Sequence, residues 1–239
     1  MEKKIALVTG GNGGIGEAVI RELSKTGEWK IIAPVRKYEE TKILFAGLVD
    51  VEVLQVSDLG DQDVVNAMFR NFRDKNIMFN SIILTAGAFG WDNDKRKGAE
   101  MKSVEQVKAD LYHANVKTKL TIWKALGEIY GDHLANIMMG VVSSQAAQFK
   151  EDDPLRLNLT TGFKEEGYVL SMKEVSDETT SMIESGLYKN IFLYEAPLID
   201  TLMAQREFTL ETVGVEIDWN TVMKPKEAGA ILLAGTGLI

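Results

Sequence analysis

The chain has 239 residues, no cysteine and a formal net charge of −8. That acidic balance argues against nucleic acid or an anionic membrane as the main partner, since both select basic surfaces. The missing cysteines exclude disulfides, thiolate catalysis and Cys-ligated zinc. His113 and His133 lack metal-ligand spacing, and no apolar run approaches the ~20 residues of a bilayer span. Met1–Lys4 leads straight into a strand, so a cytoplasmic protein without a metal site is expected.

In chain order, Lys4–Thr9 reads as a strand that ends in a glycine loop. Gly14–Thr26 reads as a helix, with Ile15, Ala18, Val19 and Leu23 on one face. Strands follow at Lys30–Val35 and Val51–Val56, then a helix at Asp61–Asp74 with Val64, Val65, Met68 and Phe72 at helical spacing. Ser81–Thr85 is a fourth strand. Ser103–Tyr130 reads as one long helix capped by Ser103. A strand at Asn136–Val142, a helix at Val169–Leu187, a strand at Asn190–Glu195 and a helix at Pro225–Ala234 complete the pattern. Strands apolar on both faces, alternating with helices, predict a parallel sheet covered on both sides. The expected fold is α/β: one doubly wound, Rossmann-type, three-layer αβα domain with right-handed crossovers.

The loop Thr9-Gly10-Gly11-Asn12-Gly13-Gly14-Ile15-Gly16 joins the first strand to the first helix. That is the order a dinucleotide site requires. Glycines let the backbone approach a pyrophosphate, and the helix N-terminus offers it free N–H groups and partial positive charge. The reading against it is a tight strand-to-helix turn without a ligand. Gly10, Asn12, Gly13, Gly14, Ile15 and Gly16 are the candidate phosphate-binding residues, and the expected ligand is a nicotinamide dinucleotide. The second strand ends Ala33-Pro34-Val35-Arg36-Lys37, with no acid to hold a ribose 2′-hydroxyl. Arg36 can form a fork with a 2′-phosphate, which favours NADP over NAD. Glu39 and Glu40 weaken the local positive field, and Arg36 and Lys37 also read as solvated loop charges.

These features resemble the short-chain dehydrogenase/reductase family. Its loop, Thr-Gly-x-x-x-Gly-x-Gly, is matched by Thr9, Gly10, Gly14 and Gly16. Asp58 follows the third strand, where the family holds adenine with an Asp and the next amide, here that of Leu59. Thr85-Ala86-Gly87 resembles the family's Asn-Ala-Gly, with Thr for Asn. Asn115 matches its structural and proton-relay Asn, and Ser143-Ser144 ends the fifth strand as the catalytic serine does. Pro197 and Thr201 resemble its Pro-Gly-x-x-x-Thr, one residue shorter and without the Gly. Together these motifs span nearly the whole chain. Family members continue into a seventh strand, which the residues after Ala234 leave short or absent.

The resemblance implies hydride transfer between nicotinamide C4 and a carbonyl or alcohol, with a Tyr as acid or base, a Lys four residues later and a Ser on the substrate oxygen. A phenol near pKa 10 is a poor base at neutral pH without a cation beside it, and the serine stabilises developing oxyanion charge. Ser144 is the first choice here, with Ser143 as runner-up. The Tyr is Tyr168, but Lys173 is five residues on and Met172 holds the expected place. On a helix, i+4 lies about 40° round from i, and i+5 about 140°. A π-bulge would realign Lys173, as would a Tyr168 placed just before the helix. Otherwise the site has lost its chemistry. Tyr38 and Lys42 have the right spacing but read as surface.

Residues 145–167 are polar and irregular and read as a long active-site loop or a surface insertion. Thr201–Asn220 is the expected substrate lid, carrying Leu202, Met203, Phe208 and Trp219; with Phe89 and Trp91 it suggests a partly apolar small-molecule substrate. By resemblance, a homodimer through Ser103–Tyr130 and Val169–Leu187 is expected. Two other readings stay open. One is a non-catalytic dinucleotide-binding regulator or redox sensor, supported by the misspaced Lys173. The other is an extended-type epimerase or dehydratase: the loop also fits Thr-Gly-x-x-Gly-x-x-Gly through Gly10, Gly13 and Gly16, but that branch carries a larger C-terminal substrate domain, and this sequence ends soon after the last expected helix.

Overall fold

The computed structural model describes residues 2–88, 103–148, 163–186, 188, 190–197, 218, 220 and 222–239. Among them, six strands form one parallel sheet: β1 (Lys4–Thr9), β2 (Trp29–Val35), β3 (Val51–Gln55), β4 (Ser81–Leu84), β5 (Met138–Ser144) and β6 (Ile191–Ala196). Their order is β3-β2-β1-β4-β5-β6, and every neighbouring pair is parallel. Among the described residues, seven α-helices flank the sheet: α1 (Gly14–Thr26), α2 (Tyr38–Leu44), α3 (Gln62–Asp74), α4 (Val104–Tyr112), α5 (Thr118–Tyr130), α6 (Phe163–Ser185) and α7 (Pro225–Gly235). This is the doubly wound Rossmann arrangement. Its strand order reverses between β1 and β4, and the crevice outside their carboxyl ends is where such sheets bind ligands.

Strand alternation builds two cores. Leu7, Ile32, Ile82 and Leu84 point to one face and pack under Val65, Phe69 and Phe72 of α3 and Trp123, Leu126 and Tyr130 of α5. Ala6, Val8, Ile31, Ala33 and Ile83 point to the other, under Val19, Ile20 and Leu23 of α1 and Leu232 and Leu233 of α7. A period of two on the strands and 3.6 on the helices therefore yields three layers. No helix among the described residues is long and apolar enough to cross a membrane.

Most elements fall within two residues of the sequence reading, and the departures matter for the site. The stretch Ser103–Tyr130 is not uniform: a π-helical turn, His113–Lys117, separates α4 from α5. Side chains four residues on fill carbonyls of the widened turn, Thr118 Oγ1 to Ala114 O and Thr121 Oγ1 to Lys117 O. Ser103 does cap α4, in a capping box with Gln106. β5 runs two residues further than expected, so Ser143 and Ser144 lie in the strand, while Leu134–Asn136 forms a 3₁₀ turn. Part of the expected 145–167 loop is structured, as a 3₁₀ turn at Gln145–Gln148 and the first turn of α6. Tyr38 and Lys42 lie on a short helix, α2, whose Thr41 is buried. Phe89, Trp91 and, apart from Asp218 and Asn220, the expected lid at Thr201–Asn220 lie outside the described residues.

Candidate active site

The carboxyl ends of β1 and β4 are clipped together by two threonines. Thr85 Oγ1 donates to Thr9 O at 2.6 Å, and Thr9 Oγ1 accepts from the Ala86 amide at 3.2 Å. Gly10 enters the loop at φ 64 and touches Ala86 so closely that a Cβ would lie 2.8 Å from its nitrogen. The loop then closes on itself through Gly13 N to Gly10 O at 2.8 Å. At Gly16 a Cβ would lie 2.2 Å from Gly10 O, so only glycine lets α1 begin this near the loop. No side chain caps the N-terminus of α1. Its first amides therefore face the cleft beside Asn12, Gly14 and Ile15, a fit for a diphosphate. The residues present thus fit the dinucleotide that the sequence predicts.

Just after β3 stands Asp58, with Leu59 next to it. Gly60 N donates to Asp58 Oδ1 at 2.8 Å, and His113 Nε2 lies 2.8 Å from Oδ2. Burial alone would raise the Asp58 carboxyl; the bonds from His113 and Gly60, with the charges of His113 and Arg36, bring it below its ordinary value. Arg36 is exposed at the end of β2, near that carboxylate. His113, which lacks metal-ligand spacing, sits on the π turn and holds Asp58.

Two residues on from His113, the same π turn carries Asn115. It is fully buried on the π turn and clasps Ala88 twice, accepting from its N at 2.7 Å and donating to its O at 2.9 Å. Its Nδ2 also reaches Ser171 Oγ at 3.0 Å on α6. Asn115 thereby ties the Ala86–Gly87–Ala88 turn to the helix that carries Tyr168.

The two serines separate as strand alternation requires. Ser143 turns inward, donates to Met172 O at 3.0 Å and is bonded to Ser176, whose hydroxyl also reaches Glu195 Oε1 at 3.0 Å. Ser144 turns to the cleft and is hydrogen-bonded to the Tyr168 hydroxyl. Burial raises the Tyr168 pKa, and the Ser144 bond opposes the rise. Lys173 does not join them. α6 is α-helical from Phe163 to Ser185, so Tyr168 lies within it and no π-bulge realigns the lysine. Lys173 is exposed, while Met172 is buried in its expected place. Pro197, after β6, is partly buried.

The sequence reading passed over Lys119. It is 3% exposed, and its Nζ donates to Ala86 O at 2.9 Å and Asn115 O at 2.8 Å. The available signal was its place four residues after Asn115, on the same helical face.

A family model, the KR domain, matches residues 5–152. The chain belongs to this family, one of the short-chain dehydrogenases/reductases that the sequence motifs resemble. Solved structures share the fold across almost the full chain. A variant of the actinorhodin polyketide ketoreductase, solved with NADPH, superposes with TM-score 0.77 at 16% identity, covering 99% of this chain and 92% of its own. A short-chain dehydrogenase from Streptomyces avermitilis gives 0.72 at 16% identity, covering 98% and 84%. An alcohol dehydrogenase from the archaeon Thermococcus sibiricus, complexed with 5-hydroxy-NADP, gives 0.70 at 16% identity, covering 100% and 92%. No curated protein matches by sequence.

Proposed function

We propose that the chain is an NADP-dependent oxidoreductase that reduces a carbonyl, or oxidises the corresponding alcohol, on a partly apolar small molecule. The observation that carries this reading is the hydrogen bond between Ser144 and Tyr168 at the carboxyl end of β5. The sheet directs that pair to the same edge as the glycine loop. When bound, the cofactor supplies or accepts the hydride. The Tyr168 hydroxyl, kept protonated by burial, donates a proton to the substrate oxygen as negative charge grows there. Ser144 donates to the same oxygen and steadies the charge. Asn115 holds the Ala86–Gly87 turn against one end of the dinucleotide, and Asp58 with the Leu59 amide takes the adenine. Arg36 beside Asp58 supports NADP rather than NAD, as do the ligands of the ketoreductase and alcohol dehydrogenase structures.

The test is NADPH oxidation over a panel of aldehydes and ketones, comparing the natural chain with Tyr168→Phe and Ser144→Ala. Loss of a general acid lowers kcat by roughly 10²–10⁴-fold. Equal rates in Tyr168→Phe would reject Tyr168 as the acid. One observation favours a second reading, a dinucleotide-binding regulator: Lys173 is exposed and leaves Tyr168 without the family's adjacent lysine. That reading expects NADPH binding with no turnover on any substrate of the panel.

A further inference from the structure

A lysine only 3% exposed is rare unless it is paired, and among the described residues Lys119 has no acidic partner. Its two hydrogen bonds both go to main-chain carbonyls, Ala86 O and Asn115 O. A neutral amine has two N–H groups, and these two acceptors satisfy both. The ammonium form has a third, and among the described residues nothing is bonded to it. The pocket as it stands therefore suits the neutral amine, and it becomes a seat for the cation only when negative charge or a further acceptor arrives.

The position tells where that charge comes from. Ala86 is the residue against which Gly10 of the dinucleotide loop packs, and its carbonyl accepts from Lys119. An anionic dinucleotide bound along the glycine loop and the Ala86–Gly87 turn would bring its charge to the turn that Lys119 holds.

We propose that Lys119 is a proton-linked counter-charge for the dinucleotide: cofactor binding is accompanied by uptake of one proton from solvent at Lys119 Nζ. The inference rests on the dinucleotide reading above, but not on hydride transfer. No bond of the cofactor changes; the amine lone pair gains a proton and the buried ammonium gains a nearby anion.

Among the described residues, the titratable groups on the surrounding elements are bonded elsewhere or exposed. The β4 turn and the glycine loop carry none. On α6, Tyr168 is bonded to Ser144, Lys173 is exposed and Glu174 is engaged with Tyr112. On the π turn, His113 is spent on Asp58 and Lys117 is exposed. Burial is the whole cause of the Lys119 shift, which brings the free ammonium down to about 7. The sign follows. Binding raises that pKa, so affinity is full below about 7 and falls as pH rises towards the bound-state value.

The experiment is calorimetric titration of the full chain with NADPH at pH 8, in two buffers of different ionisation enthalpy. The natural chain is expected to take up about one proton per NADPH, and its Kd to rise roughly tenfold between pH 7 and 8.5. Lys119→Met keeps the volume, and is expected to bind without that proton and with the steep rise removed. Equal proton uptake in both chains overturns the proposal, and so does no uptake in the natural chain. Should Lys119→Met fail to fold, ¹³Cε-lysine spectra of the natural chain decide. The Lys119 signal is expected to titrate near 7 alone and at higher pH with NADPH, and an unmoved titration overturns the idea. Absence of any NADPH or NADH binding would instead bring down the dinucleotide reading itself, a distinct result.

Discussion

His113 Nε2 lies 2.9 Å from Asp58 Oδ1 and 2.8 Å from Oδ2, so one imidazole bridges both oxygens of a carboxylate on another element. The pair joins the π turn to the loop after β3. Against the opposing effect of burial, it lowers the Asp58 pKa together with the Gly60 bond and the Arg36 charge. A depressed carboxylate contributes stability above its unfolded pKa, and that contribution is lost as pH falls through the folded value. His113→Ala is therefore expected to raise the Asp58 pKa towards 3.8 and to move the acid-unfolding midpoint to higher pH. Asp58 and His113 side chains are 43% and 39% exposed, so screening keeps the loss at neutral pH below about 1 kcal/mol. Carboxyl ¹³C shifts and acid unfolding followed by circular dichroism measure the two quantities. An Asp58 titration unchanged by the substitution would show that the contact is not kept in solution.

Gly16→Ala tests the cradle. The added methyl would lie 2.2 Å from Gly10 O and 2.7 Å from Thr85 Oγ1, and the first of these is backbone that cannot swing aside. Overpacking of this kind costs about 1–3 kcal/mol. Thermal unfolding should show that loss, and NADPH affinity should fall more than stability does, because the displaced loop carries the phosphate-binding amides. Unchanged NADPH binding would mean that the dinucleotide lies elsewhere.

Asn115→Ala tests the joint between the β4 turn and α6. The substitution strips partners from the Ala88 amide and carbonyl and from Ser171 Oγ. Each orphaned buried group costs about 1–3 kcal/mol, partly recovered by water at the half-buried Ala88. Urea unfolding is expected to show a loss of about 2–4 kcal/mol. A loss under 1 kcal/mol would show that the π turn is held by Thr118 and Thr121 alone.

What could be seen in the sequence follows from periodicity. β1 and α1 were placed to the residue because Thr9-Gly10 and Gly27 punctuate them. The long helix was located, but its π turn was not. The cause is tertiary: Asn115 leaves the helical pattern to clasp Ala88, from which it is distant in sequence. Tyr168 and Ser144 were legible through their motifs, and strand alternation would have chosen Ser144 over Ser143 once β5 was known to reach them. Lys119 was hidden because a charged residue on a helix reads as solvated. Only the packed turn at Ala86 shows that it is buried.

Lys173 offers a direct contrast with Lys119. Lys173 is exposed on a regular helix, about 140° round from Tyr168. Lys173→Met is therefore expected to leave kcat within about twofold and stability within about 0.5 kcal/mol, as for an ordinary surface substitution. Steady-state NADPH oxidation and thermal unfolding check both. A hundredfold loss of kcat would mean that α6 rearranges when the cofactor binds.

Arg36 carries the choice between the two nicotinamide dinucleotides. It is exposed at the end of β2, and the neighbouring Lys37 is drawn to Glu40 at 3.1 Å, which leaves Arg36 as the cation facing Asp58. A guanidinium fork on a 2′-phosphate is a charge-assisted bond worth about 1.5–3 kcal/mol. Arg36→Ser removes it without adding a competing charge. The preference for NADPH over NADH, read as the ratio of kcat/KM values, should then fall by roughly 10–100-fold, chiefly through KM for NADPH. The loss should shrink at high salt, where screening weakens the attraction in both chains. A ratio unmoved by Arg36→Ser would mean that the 2′-phosphate is not read at this strand, and that the end of β2 leaves the two cofactors undistinguished.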